Sequence, residues 1–176
     1  MAKIPDLIPK RIANISVGAS TVRGQPPKTV EIARNYLQSS INLKDFSNVS
    51  EDQFRTVLDE HTEKLKNELP SHSWGIARKV LNIFLFQATH DIILNKKYTF
   101  DKTITFLEVP LDNRNAKILK KSAKSHGINL DWKNIKSLRP EVSKEFQEYA
   151  KQYASQKECE RCYLDLYWWR SENNTK

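Results

Sequence analysis

The segment "SWGIARKVLNIF", residues 73–84, places a basic pair, Arg78 and Lys79, between a glycine and a long apolar run. The apolar run predicts a buried helix. Charged lysines, however, are almost never fully buried unless they have a partner or a chemical task. The rest of the chain must therefore supply a group for Lys79 to meet.

Length and composition limit the class of protein. The 176 residues suffice for one domain with its own hydrophobic core, so we expect a single domain over residues 1–176. Two cysteines are too few for a disulfide framework, and neither a leader peptide nor an apolar run of membrane-spanning length is recognisable. These features favour a soluble, cytoplasmic protein without a membrane partner.

The charge balance indicates an anionic partner. The chain has 29 Lys and Arg residues against 21 Asp and Glu residues, for a net charge of +8. This balance favours nucleic acid or an anionic membrane surface, with nucleic acid preferred. A basic surface that serves only solubility is the alternative.

The spacing of apolar residues predicts an all-α fold with little or no strand. Apolar positions recur at three- and four-residue steps through most of the chain, and there are only four glycines. Ser50 and Gln53 have the spacing of a capping box, and Pro140 fits the first turn of a helix. We predict helices over residues 26–38, 50–66, 76–94, 113–125, 141–156 and 159–170, some extended chain within 95–112, and a loop with one short turn over 126–140.

Asp112 has two possible roles. It lies directly before a predicted helix in "LEVPLDNRNAKIL", residues 107–119, where an aspartate commonly caps the helix. Capping alone would explain it. However, Lys79 and Asp112 lie near the beginnings of two helices that flank the same irregular segment, so a shared site is the second interpretation.

Two motifs in order resemble those of a known superfamily. "WGIARKVLNIFL", residues 74–85, resembles the second half of the helix-hairpin-helix motif of the HhH-GPD DNA glycosylases, in which a glycine-containing turn precedes a lysine and an apolar helix. "VPLDNRNAKI", residues 109–118, resembles their following motif, where an aspartate opens a helix. The 33 positions from Lys79 to Asp112 are similar to the interval in the archaeal-type 8-oxoguanine DNA glycosylases. The resemblance covers about residues 70–170, with the hairpin at about 65–90.

The resemblance implies a compact helical glycosylase fold and a function. Lys79 would be the nucleophile of a DNA glycosylase with associated lyase activity, and Asp112 would stabilise charge on the sugar. "CYLDLYWWR", residues 162–170, is similar to the helix that lines the base pocket, which makes Asp165 and Trp169 the pocket residues. The implied partner is double-stranded DNA with a modified base, bound near the nucleoid by a monomer without metal or cofactor.

Five further residues are candidates for DNA contact. Trp74, Gly75 and Arg78 lie at the predicted helix start before Lys79, where free backbone N–H groups suit a phosphate. Arg114 and Lys117 begin a basic stripe that continues through Lys120, Lys121 and Lys124. A core role for Trp74 and a solvated face for the stripe are the alternatives.

Other interpretations remain open. Tyr163, Leu166 and Trp169 also fit a core stripe, and Asp165 could pair with Arg161 or Arg170. Cys159 and Cys162 would share one side of a helix, but two thiols do not make a tetrathiolate site. The rival functions are a non-catalytic helix-hairpin-helix DNA-binding module and an RNA-binding basic helical protein.

Overall fold

The fold is all-α. The computed structural model describes the backbone of residues 4–171 and the side chains of residues 6–168, and this part contains helices and no strand. The α-helices are α1 (Ile4–Ser16), α2 (Thr29–Ser39), α3 (Glu51–Glu68), α4 (Trp74–His90), α5 (Ile92–Tyr98), α6 (Asp101–Phe106), α7 (Asn113–Ser125), α8 (Pro140–Ser155) and α9 (Leu164–Ser171). Short 3₁₀ turns lie at Leu43–Phe46, Ile135–Ser137 and Arg161–Tyr163. Within the described range no helix has the length and apolar character needed to cross a bilayer.

Local capping signals predicted the helix starts well. Ser50 and Gln53 form the predicted capping box of α3, and Pro140 is the first residue of α8. α7 has the predicted limits, and the short turn expected in residues 126–140 is the 3₁₀ turn Ile135–Ser137. Each of these signals acts within one turn of the chain, so tertiary packing did not override it.

The segment after α4 differs from the prediction. The helix predicted to reach residue 94 ends at His90, because Asp91 takes an extended conformation and its carboxylate caps α5. Residues 101–106, predicted as partly extended, form α6, in which Thr103 donates its hydroxyl to the carbonyl of Phe46 at 2.6 Å. The longest non-helical stretch of this segment is residues 107–112, which we call the connector.

Two hydrophobic clusters meet at α4. The first gathers residues of α1 to α6, including Leu58, Phe84 and Phe100. The second gathers the connector with α7, α8 and α9, including Phe146 and Trp168. α4 belongs to both, since its first residue, Trp74, packs in the second cluster while most of its apolar face packs in the first.

Gly75 allows the two parts to approach closely. A Cβ on this residue would collide with the carbonyl oxygen of Ile135 and lie 2.8 Å from the Cβ of Leu138. The predicted role of Gly75 in the turn before α4 is therefore wrong. It lies inside the helix, and the left-handed residue of the turn over residues 69–73 is His72, with φ of 46°.

Side chains, not a neighbouring strand, satisfy the backbone of the connector and the residue before it. Arg161 donates from Nε to the carbonyl of Leu107 at 2.9 Å and from Nη2 to that of Phe106 at 2.7 Å. Gln147 donates from Nε2 to the carbonyl of Val109 at 2.8 Å and accepts from its amide at 3.1 Å. Buried backbone groups left unpaired would cost free energy, so these contacts hold the connector in one conformation.

A buried ion pair ties the connector to α4. Arg78 donates from Nε and Nη2 to the two carboxylate oxygens of Glu108, both at 2.8 Å. Its Nη1 donates to Asp59 at 2.6 Å and to Thr62 at 3.1 Å, both on α3. Asn82 adds a further donor to Glu108 at 3.0 Å. Arg78 therefore joins α3, α4 and the connector.

The surroundings of Glu108 stabilise its charge. Burial alone would raise the pKa of this carboxyl, but the charge and hydrogen bonds of Arg78, helped by Arg161 and Asn82, lower the pKa from 4.5 to about 2. Because the folded-state pKa is lower than the ordinary value, the ionised carboxylate stabilises the fold above about pH 4.5. That contribution is lost as the pH falls toward about 2.

Replacing Glu108 should therefore have a pH-dependent cost. Glu108→Gln leaves the Arg78 charge buried without its carboxylate, and we expect it to lower the free energy of unfolding by about 3–5 kcal/mol at pH 6. Urea denaturation at pH 6 and at pH 2.5 would measure the difference between wild type and variant, which should shrink at the lower pH. Glu60→Gln, at a 61 % exposed side chain, is the matched control and should change little. An undiminished difference at pH 2.5 would contradict this account.

Candidate active site

Lys79 projects from α4 in a different direction from its neighbour Arg78. Successive residues of an α-helix point about 100° apart, so Arg78 enters the ion pair while Lys79 reaches Thr21 and Asp112. The Lys79 side chain is 13 % exposed. Its Nζ donates to the carbonyl oxygen of Thr21 at 3.2 Å and lies 3.5 Å from Oδ2 of Asp112. Lys79 therefore contacts Asp112, the residue that the sequence pairs with it, and also the backbone carbonyl of Thr21.

The two oxygens of Asp112 face different partners. Oδ1 accepts from the amides of Arg114 and Asn115, both at 3.0 Å, and so caps α7. Oδ2 is the oxygen nearest Lys79. Asp112 thus combines the two interpretations drawn from the sequence, because capping orients the carboxylate that faces the amine.

The pair lies in an open cleft of about 320 Å³. The cleft combines residues of the loop between α1 and α2, the first turns of α4 and α7, and the 3₁₀ turn that packs on Gly75. Its lining residues are Ser20, Thr21, Arg23, Ile76, Lys79, Asp112, Asn113, Arg114 and Ile135. Two of the lining side chains besides Lys79, Arg23 and Arg114, are basic, and Ile76 and Ile135 add apolar surface.

Sequence reasoning missed the loop between α1 and α2. The hydroxyl of Thr21 donates to the carbonyl of Ser16 at 3.1 Å and accepts from the amide of Gly18 at 3.2 Å, which fixes the turn. Arg34 donates to the carbonyl of Val17 at 2.8 Å. Lys79 then contacts the main chain of Thr21, and a main-chain contact leaves no residue-type signal that could have revealed it.

The predicted base-pocket residues have different outcomes. Asp165 lies on α9, is partly exposed, and accepts from Nδ2 of Asn115 at 2.7 Å. It does not pair with Arg161, and it is not among the residues that line the cleft. The side chain of Trp169 lies outside the described residues, so its predicted pocket role stays a prediction.

The helix that carries Asp165 begins later than predicted. The expected helix over residues 159–170 is a turn, a 3₁₀ turn and then α9 from residue 164. Among the described side chains of α9, Leu164 and Trp168 are buried, whereas Leu166 is 53 % exposed. The alternative core stripe is therefore wrong at Leu166, while Tyr163 is half-buried against the first cluster and the side chain of Trp169 lies outside the described residues.

Three residues predicted to contact DNA are buried. Trp74 and Arg78 are 8 % and 5 % exposed, and the guanidinium carbon of Arg78 lies 5.2 Å from the centroid of the Trp74 ring. Gly75 is covered by the 3₁₀ turn near Ile135. We therefore do not assign a DNA contact to these three residues. The 3₁₀ turn near Ile135 covers the start of α4, where a phosphate would have to bind.

The other two predicted DNA contacts lie at the surface or in the cleft. Arg114 lines the cleft and donates from Nη2 to the carbonyl of Trp168 at 2.5 Å. Lys117 is exposed one turn further along α7, and Lys121 and Lys124 are exposed beyond it. Arg114 and Lys117 are therefore placed where they can bind an anion.

The described residues suggest no metal or thiol chemistry. No three His, Cys, Asp or Glu side chains among them are grouped as metal ligands would be. Cys159 lies in a turn and Cys162 in a 3₁₀ turn, so the prediction that they share one side of a helix is wrong. Burial, with a smaller contribution from Glu160, raises the pKa of the Cys162 thiol to about 12, which disfavours the reactive thiolate.

The geometry of Lys79 and Asp112 is thus the feature with the clearest chemical meaning. Comparison of the chain with protein-family models, with curated proteins and with solved structures gave no match.

Proposed function

We propose that the protein is a DNA glycosylase with associated lyase activity, which removes a modified base through a Schiff base on Lys79. The observation that carries the proposal is the 3.5 Å approach of Lys79 Nζ to Asp112 Oδ2 within an open cleft. A lysine and a carboxylate in contact supply a nucleophile and a proton acceptor, which are the groups that this chemistry needs.

The reaction assigns each group a step. A target base is shielded in the duplex, so its nucleotide must first rotate out of the stack. Asp112 accepts a proton from the Lys79 ammonium, and the freed amine forms a bond to C1′ of the sugar. The glycosidic bond breaks with its electron pair on the base, which takes up the proton. Ring opening, with a proton moving from the nitrogen to O4′, then gives the protonated Schiff base. Asp112, which has passed its proton to the base, accepts the C2′ proton as the C3′–O bond breaks and the phosphate leaves with the electron pair. Water then hydrolyses the Schiff base and frees Lys79.

Charge on α7 supports DNA as the substrate. The helix starts at the candidate site, contains no acidic residue, and extends about 20 Å at 1.5 Å per residue. Lys117, Lys121 and Lys124 are exposed along it and form no ion pair within the described residues. Such a row can contact successive phosphates of one strand. The enzyme would work as a cofactor-free monomer on nucleoid DNA in the cytoplasm.

The substrate within this proposal is a modified base in double-stranded DNA, with oxidised guanine as the first candidate from the resemblance. Asp165 and Trp169 are proposed to contact the extruded base. A non-catalytic DNA-binding module is the outcome if the wild-type protein binds DNA but forms no covalent adduct.

Lys79→Gln should abolish the covalent intermediate. Borohydride trapping on a panel of duplexes with different damaged bases should give a protein–DNA adduct with the wild type and none with the variant, because Lys79 is the one lysine among the described residues that line the cleft. Lys64→Gln, at a 62 % exposed lysine of α3, should trap like the wild type. Trapping of the Lys79 variant at wild-type yield would assign the chemistry to a different amine.

Asp112→Asn should separate capping from catalysis. Asparagine also caps helices well, so the melting temperature should change little, while loss of the charge beside Lys79 should lower the single-turnover rate about 10²-fold or more. Asp91→Asn is a matched control, because Asp91 caps α5 with two amide hydrogen bonds of 3.0 Å and lies outside the cleft. Equal rates for the Asp112 variant and the wild type would leave Asp112 with capping alone.

The α7 lysines should determine the salt dependence of DNA binding. Changing Lys117, Lys121 and Lys124 together to Gln should weaken binding and reduce the slope of log K against log salt by about 0.9 for each lost phosphate contact. Fluorescence anisotropy over a salt series would measure the slope. Lys64→Gln with Lys144→Gln, two exposed lysines that already have carboxylate partners, is the control. If the control substitutions reduced the salt slope more than the α7 substitutions, DNA would not bind along α7.

A further inference from the structure

Asn115 is a buried side chain that joins the candidate catalytic segment to α9. It is 1 % exposed. Its Nδ2 donates to the carbonyl of Pro110 at 2.8 Å and to Oδ1 of Asp165 at 2.7 Å, while its backbone amide donates to Asp112 at 3.0 Å. One residue therefore contacts the connector, the proposed catalytic carboxylate and the proposed pocket carboxylate.

The oxygen of the Asn115 side-chain amide is buried without a partner in the part of the chain that the structure describes, which suggests that the residue is needed for the hydrogen bonds of its nitrogen. Oδ1 of Asn115 is buried and has no hydrogen-bond partner among the described residues, which costs free energy. An apolar side chain of similar size would avoid that cost and suit the second hydrophobic cluster around it. Of the two ends of the amide, only Nδ2 is used, and its two acceptors fix the orientation of the group.

Asp165 is the partner whose position depends most on this contact. Its Oδ1 is held by Asn115, and its second oxygen has no partner among the described residues. The side chain is partly exposed, so the free oxygen can accept a hydrogen bond from a ligand. Without Asn115, the Asp165 carboxylate would be free to change rotamer.

We propose that Asn115 is a positioning residue that holds Asp165 at a fixed place relative to Asp112. The carboxylate that contacts the base, Asp165, then keeps a constant distance from the carboxylate that assists cleavage, Asp112. The inference rests on the proposed glycosylase function. It predicts that Asn115 matters when a base is present in the site and matters little when the base is already missing.

Two duplexes separate these cases. One contains a damaged base, beginning with 8-oxoguanine opposite cytosine and followed by any other lesion that the trapping panel selects. The other contains an abasic site, on which Lys79 and Asp112 can act without base recognition. We compare the single-turnover rates of strand cleavage on the two duplexes as a ratio. A loss of folded protein lowers both rates equally and leaves this ratio unchanged.

Asn115→Leu should lower cleavage of the damaged-base duplex at least about 10-fold and cleavage of the abasic duplex less than about 3-fold. In the Asp165→Asn background the same substitution should cost little more, because the carboxylate it positions has already been altered. Asn82→Leu is the matched control, since Asn82 is also a buried asparagine with an unpaired Oδ1 and lies outside the bridge. It should change both activities in proportion.

Equal losses on the two duplexes, or independent and multiplying effects of Asn115→Leu and Asp165→Asn, would overturn the inference and leave Asn115 a structural residue. A wild-type protein that cleaves neither duplex and traps on no lesion would instead overturn the proposed function, and the inference with it.

Discussion

The buried ion pair between Arg78 and Glu108 is the constraint on which the geometry of the candidate site depends. Glu108 lies on a connector that has no strand partner, and Arg78 fixes it to α4 with two 2.8 Å hydrogen bonds. Bringing both charges out of water is costly, and the cost is offset only because both carboxylate oxygens and most guanidinium donors have partners. The connector leads four residues later to Asp112, so the pair sets where the second helix of the site begins.

The adjacent positions 78 and 79 show how one helix can serve two purposes. Arg78 points into the protein, where three side chains of α3 and the connector accept its hydrogen bonds. Lys79, about 100° further around the helix, points into the cleft. A basic pair at the head of an apolar helix is thus explained by two different partners. The ion pair of Arg78 stabilises the fold, and the cleft leaves the amine of Lys79 within reach of a ligand.

Sequence reasoning succeeded where the signal was local. The caps at Ser50 and Asp112 and the proline at 140 act within one helical turn, and the helices begin where they indicate. The contact between Lys79 and Asp112 is predicted from two motifs that occur in the same order as in a known superfamily. That likeness supplies information on a long-range contact that local signals lack.

It failed where the partner is remote and chemically unspecific. The carbonyl of Thr21 lies 58 positions from Lys79, and any residue could have supplied it. The sequence predicts a DNA contact for Arg78 because it does not reveal that Glu108 and Asp59 surround this residue. The sequence predicts a turn at Gly75 because glycine favours turns, but in the structure this glycine allows close packing against Ile135.

The distance between Lys79 and Asp112 is a property of the contact between the two hydrophobic clusters. Lys79 lies on a helix packed mainly in the first cluster, and Asp112 begins a helix of the second. Gly75 lets the 3₁₀ turn near Ile135 approach α4, and Arg78 binds the connector from the same helix. Both contacts are made near the start of α4, by Gly75 and Arg78 just before Lys79, so they hold this part of the helix against the turn near Ile135 and against the connector. Packing far from any ligand therefore sets the 3.5 Å separation of the amine and the carboxylate, which must shorten to hydrogen-bonding distance before a proton can pass directly between them.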